Sequence, residues 1–267
     1  MWGLDRFREN VGRRRLTRNL YAFRPIQAAS LSDVTFTDRQ ENLPPKSSLV
    51  ANSYNRIPMR EKGGTEIVVG VSGASGAGLA IAFLRFAASR PEFSTIHLIV
   101  SSSALSVART EAGTDVADAE GYLRLLGLSR VARARIVLHA NDDLAAPISS
   151  GSYPTAGMVV IPCSAGTLAS IAGGISRGLL QRAADVTLKE RRPLVLAFRE
   201  SPYSIIHIEN MERAARAGAT IMPPSPPFYI ESPSVERLVE AYCRRVARVF
   251  GVPMPKEFVW TGPRRRS

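Results

Sequence analysis

From Glu66 onward, apolar segments of strand length alternate with longer helical ones, and that alternation leaves the chain few architectures. The apolar runs fall at 67–71, 97–100, 136–138, 158–162, 194–198 and 220–222. Helix-like stretches separate them at 76–88, 102–111, 117–126, 167–171, 176–189, 204–217 and 234–250. Strands that are apolar on both faces and spaced by helices predict a parallel sheet covered on both sides. The expected fold is therefore α/β: an open three-layer domain of Rossmann or flavodoxin-like type, its sheet mostly parallel. In such sheets ligands bind beyond the carboxyl ends of the strands, near the point where strand order reverses. Functional residues are expected just after strands.

Charge is distributed unevenly. The 267 residues carry a formal +12, but residues 1–64 hold twelve Lys/Arg against six Asp/Glu, and Arg264, Arg265 and Arg266 add three more. The span 65–263 is then close to balanced, so overall basicity says little about nucleic acid, and none is expected as a partner. Residues 1–64, with Pro25, Pro44, Pro45 and Pro58 and no sustained apolar period, are expected to form a basic extension, disordered or a targeting segment. A domain over 65–260 and a basic tail over 261–267 follow. Cys163 and Cys243 have neither metal-ligand spacing nor the numbers for a disulfide framework, which points to a reducing compartment. The uncharged run 67–84 is long enough to span a bilayer, yet its Gly70, Gly73, Gly76 and Gly78 suit a strand, a turn and a helix start better.

Two polar nests follow strands. Gly70-Val-Ser-Gly-Ala-Ser-Gly-Ala-Gly78 lets backbone approach a phosphate or ring closely and opens a helix whose first N–H groups suit an anion. Without a ligand, it would be only a tight strand-to-helix turn. Pro162-Cys-Ser-Ala-Gly-Thr-Leu168 repeats the arrangement, although Ser164 alone would serve equally as a helix N-cap. Arg199-Glu-Ser-Pro202 ends another strand and offers a carboxylate beside a cation, as acid/base chemistry on a phosphate leaving group requires. A simple ion pair is the competing account. Helical spacing also puts Glu111, Arg182, Lys189 and Arg245 on otherwise apolar stripes, where a charge must find a partner, water or ligand.

These segments, with Arg182-Ala-Ala-Asp-Val-Thr-Leu-Lys-Glu-Arg-Arg-Pro-Leu194, Ile208-Glu-Asn-Met211, Met222-Pro-Pro224 and Phe228-Tyr229, closely resemble the flavin prenyltransferase family. The resemblance covers about 66–260. It implies an enzyme that joins the dimethylallyl group of dimethylallyl phosphate to N5 and C6 of reduced FMN without a metal, and supplies prenylated FMN to a UbiD-type decarboxylase partner, as in ubiquinone metabolism. It implies a homo-oligomer, a dodecamer with sites shared between subunits, in the cytoplasm or, if 1–64 is a transit peptide, the mitochondrion. Carried over by position, Gly73, Ala74, Ser75, Ser101, Ser164, Ala165, Gly166, Thr167 and Arg199 would hold FMN. Tyr229, Arg245, Lys189 and Trp260 would contact the prenyl donor, with Arg182 and Lys189 neutralising its phosphate. Glu200 would be the principal acid/base, and Glu111 a second carboxylate at the flavin.

Two alternatives use the same residues. A flavin-dependent decarboxylase of this fold would need a histidine at the flavin, from among His97, His139 and His207. A non-catalytic flavin-binding subunit would tolerate loss of Glu200.

Overall fold

The computed structural model describes residues 64–113, 116–225, 227–230, 234–260 and 262. Apart from Gly64 and Gly262, the expected extension and tail lie outside the described residues. The elements in chain order are β1 (Thr65–Val71), α1 (Ala77–Ser89), β2 (Phe93–Val100), α2 (Ser102–Ala112), α3 (Ala119–Leu125), α4 (Arg130–Arg133), β3 (Ile136–His139), β4 (Met158–Cys163), α5 (Ala165–Ala172), α6 (Leu179–Lys189), β5 (Leu194–Phe198), α7 (Ile205–Arg216), β6 (Ala219–Ile221) and α8 (Val235–Arg248). Each apolar run has become a strand. The run 67–84 divides between β1, a turn and α1, and among the described residues no helix is long and apolar enough to cross a membrane.

The six strands form one sheet in the order β3-β2-β1-β4-β5-β6, and every pairing is parallel. Strand sequences are apolar throughout because both faces are covered. Ile67, Val69 and Val71 of β1 pack with Ala80, Phe83 and Leu84 of α1 and with Tyr242 and Val246 of α8. Val68, Met158, Val160 and Leu196 point to the other face, against Leu179, Leu180 and Ala183 of α6. At about 25 cal/mol per Å² of apolar surface removed from water, these two layers supply the main driving force for folding.

One polar cluster interrupts the second face. His97, buried in β2, lies 2.9 Å through Nδ1 from His139 Nε2 and 3.0 Å through Nε2 from Glu66 Oε2. The Tyr153 hydroxyl donates to that same carboxylate oxygen at 2.7 Å. Burial, and then the neighbouring His97, push the His139 pKa below its ordinary value against an opposing pull from Asp143. A histidine depressed in this way takes up a proton more readily when the chain unfolds. Its contribution is therefore complete above its unfolded pKa of about 6.5 and is lost as the pH falls from there through the lower folded pKa. We expect the thermal midpoint to drop between pH 7.5 and 5.5, and His139→Gln to flatten that dependence, in unfolding scans taken across the range.

Candidate active site at the carboxyl edge of the sheet

Strand order reverses between β1 and β4, so the loops leaving them diverge and open a crevice between two helix starts. Ser72 ties the loops together. Its buried hydroxyl donates to the Pro162 carbonyl at 2.9 Å and accepts from the Ser164 N–H at 2.8 Å. Gly73 must be glycine because the loop grazes the first turn of α2: a Cβ there would stand 2.4 Å from the Ser103 Cβ. Ala74 is buried, its N–H bonded to the Ser72 carbonyl. Gly76, at φ 119°, turns the chain into α1 through the left-handed region.

Ser101 and Ser164 do serve as N-caps. Ser101 Oγ accepts from Ala104 N at 3.1 Å, and Ser164 Oγ accepts from Thr167 N at 3.3 Å while donating to Thr167 Oγ1 at 3.0 Å. Capping leaves the first-turn N–H groups, among them those of Ala165 and Gly166, without an intrahelical acceptor. The space beside Gly166 is open, since a Cβ there would meet nothing within 4 Å. Hydroxyls, outward N–H groups and closely approaching glycine backbone around one crevice match the chemistry of a flavin mononucleotide's phosphate and polar edge.

At α1 the expected arrangement differs. The Glu111 carboxylate, from the last turn of α2, already occupies the helix start: Oε2 accepts from Ala77 N at 2.7 Å and Oε1 from Gly76 N at 2.9 Å. Burial is the largest single influence on this carboxyl and pushes its pKa up. The Ser75 hydroxyl, the two N–H groups and the Arg199 charge together outweigh it and hold the pKa below the ordinary value. The Ser75 hydroxyl favours the charged form of this carboxylate, and the N–H groups expected to face an anionic ligand already face an anion of the protein. Sequence separation hides this contact: the partners stand 35 positions apart, and no local pattern announces it.

Arg199 and Glu200 follow β5 and line a cleft of about 380 Å³ with Tyr203, Pro223 and Pro224. Arg199 makes no ion pair within hydrogen-bonding distance among the described residues, and the Glu200 side chain accepts only from its neighbour, Ser201 N, at 3.1 Å. The competing ion-pair account of Arg199 is therefore not realised. Tyr203, which the sequence reading passed over, stacks on Phe198 with ring centroids 5.5 Å apart.

The remaining cations do not join them within one chain. Arg182 bonds the Ser149 carbonyl at 3.1 Å and Asp185 at 2.8 Å, and Lys189 pairs with Glu190. Lys189 closes α6, which leads into the amino end of β5, whereas Arg199 leaves its carboxyl end. Five residues of strand, roughly 16 Å at about 3.3 Å each, separate those ends. Arg245 is exposed on α8. Tyr229 and Trp260, both exposed, stand side by side with ring centroids 5.5 Å apart. All three histidines are engaged: His97 and His139 in the cluster with Glu66, and His207 in the capping box of α7, where its Nδ1 accepts from Ser204 N at 3.2 Å. Among the described residues no three metal-ligating side chains cluster.

The family model described as Flavoprotein matches residues 55–247. The flavin prenyltransferase UbiX of Deinococcus radiodurans is 45% identical over 193 residues, 72% of this chain and 92% of that protein. Its counterpart from Salmonella typhimurium is 42% identical over 198 residues, covering 73% and 98%. Among solved structures, a UbiX protein in complex with FMN and dimethylallyl pyrophosphate superposes with a TM-score of 0.65 at 40% identity, over 75% of this chain and 100% of that one. A dodecameric FMN-dependent UbiX-like decarboxylase from Escherichia coli O157:H7 superposes at 0.64, also at 40% identity, covering 74% and 100%.

The contact between Glu111 and α1 is open to direct measurement. Glu111→Gln removes a negative charge from a helix start, at a cost of about 0.5–1 kcal/mol for so exposed a group. Because the folded carboxyl has a lowered pKa, the stabilisation is present above the ordinary value of 4.5 and is lost as the pH falls from there through the lower folded pKa. Urea unfolding at pH 7 and pH 3.5 should separate the variant from the parent at the first pH and bring them closer together at the second.

Proposed function

The chain belongs to the flavin prenyltransferase family, and on that premise we propose that the crevice between β1 and β4 brings reduced FMN to dimethylallyl phosphate and joins the dimethylallyl group to N5 and C6 of the flavin. The observation that carries this reading is that Arg199 and Glu200, neither of them ion-paired among the described residues, leave β5 at the same sheet edge as the nests at Gly73–Ser75 and Ser164–Thr167, with Arg199 N bonded to the Cys163 carbonyl.

Each group has a role that its position supports. Gly73, Ala74 and the first turn of α5 (Ala165, Gly166, Thr167) lie against the flavin, with Ser101 and Ser164 holding their helices in register. Ser75 reaches the flavin from a hydroxyl steadied by Glu111, which keeps a negative charge at the rim. Arg199 places a fixed cation beside the flavin and the departing phosphate. Donor cleavage breaks a carbon–oxygen bond, and the electron pair leaves with phosphate. Preorganised cations favour that separation without reorganising. Glu200 takes up and returns the protons displaced as the flavin forms its two new bonds. Tyr229 and Trp260 offer apolar ring surface to the isoprenoid chain.

Lys189, at the opposite edge of the sheet from Arg199, reaches a donor phosphate only by crossing between copies, and Arg182 and Arg245 are assigned to join it there. We therefore assign a homo-oligomer, and specifically a dodecamer as in the Escherichia coli structure, in which one chain's α6 completes a neighbour's crevice. Prenylated FMN would then pass to a UbiD-type decarboxylase. The decarboxylase alternative would use a histidine at the flavin, whereas His97 and His139 are bound in their cluster with Glu66 and His207 caps α7 through Nδ1.

Anaerobic incubation with reduced FMN and either dimethylallyl phosphate or the diphosphate, followed by mass analysis, should give a flavin heavier by one five-carbon unit. An unchanged mass despite bound FMN refutes the activity. Glu200→Gln should keep FMN affinity and lose roughly 10²–10⁴-fold in turnover. Co-assembly of Glu200→Gln chains with Lys189→Ala chains should recover activity that neither variant shows alone, because some crevices then receive an intact carboxylate from one chain and an intact amine from the other.

A further inference from the structure

After α8 the chain turns back along that helix through a short 3-10 turn, Lys256–Phe258, whose carbonyls and N–H groups pair with no strand. Something else must hold it, since Pro253 and Pro255 precede it and only Phe258 of the turn is deeply buried. The side chains around Phe258 form an alternating series. Arg90 lies over the Phe86 ring at 5.7 Å, Arg244 over Phe86 at 5.2 Å and over Phe258 at 5.0 Å, and Arg237 over Phe258 at 5.6 Å. Arg244 is the linchpin of the series. Its guanidinium touches both rings, its Nε and Nη2 both donate to Glu240 Oε1, and its side chain is only 16% exposed. Arg237, by contrast, has a buried Nε with no acceptor among the described residues.

We propose that Arg244 is a positioning residue for the prenyl-donor wall: by bridging Phe86 of α1 and Phe258 of the terminal turn, it sets where Tyr229 and Trp260 stand. The connection is short. The Phe258 carbonyl accepts from the Tyr229 hydroxyl at 3.5 Å, Trp260 lies two residues beyond Phe258, and the Tyr229 and Trp260 rings touch. A cation over an aromatic face gains most where water is excluded, and a guanidinium flanked by two rings and tethered by a carboxylate has little freedom left. The inference rests on the reading of Tyr229 and Trp260 as the surface that meets the donor. It assigns Arg244 no contact with either substrate.

The chain has two tryptophans, Trp2 and Trp260, so a full-length chain carrying Trp2→Phe reports on Trp260 alone. In that background, Arg244→Gln should raise the donor KM roughly tenfold, leave kcat and FMN affinity within about twofold, and quicken the anisotropy decay of Trp260. Arg244→Lys, which keeps a cation but loses the fork, should return KM most of the way. Phe258→Leu keeps the apolar volume without the ring and should match Arg244→Gln. The double variant should be no worse than either, because both break one contact. Unchanged KM and Trp260 motion in both single variants overturns the role of Arg244, as does an equal loss spread over kcat, FMN affinity and stability. Trp260→Leu distinguishes the two levels. A raised donor KM there with Arg244→Gln silent overturns the positioning role alone, whereas an unchanged KM removes Trp260 from the donor site and Arg244's role with it.

Discussion

One buried hydroxyl holds the crevice together. Ser72 sits at the end of the central strand, and by donating to Pro162 and accepting from Ser164 it fixes the β1 loop to the β4 loop at the point where the strand order reverses. A hydroxyl buried this deeply must satisfy its hydrogen-bonding capacity. Here that requirement becomes geometry: the glycine loop cannot move without leaving Ser164 N unpaired, and Ser164 cannot shift without uncapping α5. The two nests therefore behave as one rigid rim, the condition for aligning reactants to a fraction of an ångström.

Electrostatically the rim is more nearly self-neutralised than a simple anion pocket. Glu111 takes the start of α1, Arg199 stands near enough to lower its pKa, and the unsatisfied first-turn N–H groups of α2 and α5 remain for a ligand. Placing a carboxylate at one helix start narrows where an incoming phosphate can sit. Meanwhile Lys189 ends at the far edge of the sheet and Arg245 is exposed on α8, so neither adds its charge to this chain's own crevice. On the reading proposed above, assembly and catalysis are linked, because one subunit's surface charge would become its neighbour's binding charge.

Most of the architecture could be read in the chain, and the shortfalls have physical reasons. All six strands lie within a few residues of their apolar runs, because a sheet covered on both faces needs unbroken hydrophobicity and Gly or Pro to stop it. The four-residue α4 escaped notice because a single turn with no buried residue leaves no periodic trace. Site residues next to strands, from Gly73 to Glu200, were legible because chain direction alone sends them to the carboxyl edge. Helical stripes identified charges but not their surroundings. Lys189 ends a helix that leads into β5, which puts it at the opposite edge from Arg199, and spacing could not reveal that Phe86 and Phe258 approach Arg244 of α8 from two other parts of the chain. The grip of Glu111 on α1 and the His97–His139 cluster depend on contacts between distant segments, and such contacts exist only after folding.

The sheet's connectivity also bears on how the protein is made. β1 pairs with β2 within its first thirty-odd residues, but its other neighbour, β4, begins only at Met158. At a synthesis rate of about 5–20 residues per second, the edge of β1 that β4 will cover stays without its partner for several seconds while the intervening chain leaves the ribosome. During that interval Val68, Val69 and Gly70 present a bare, apolar β-edge, the kind of surface that recruits other chains. The central position that makes β1 the backbone of the crevice thus also leaves it, in the nascent chain, with an apolar edge that waits for a distant partner.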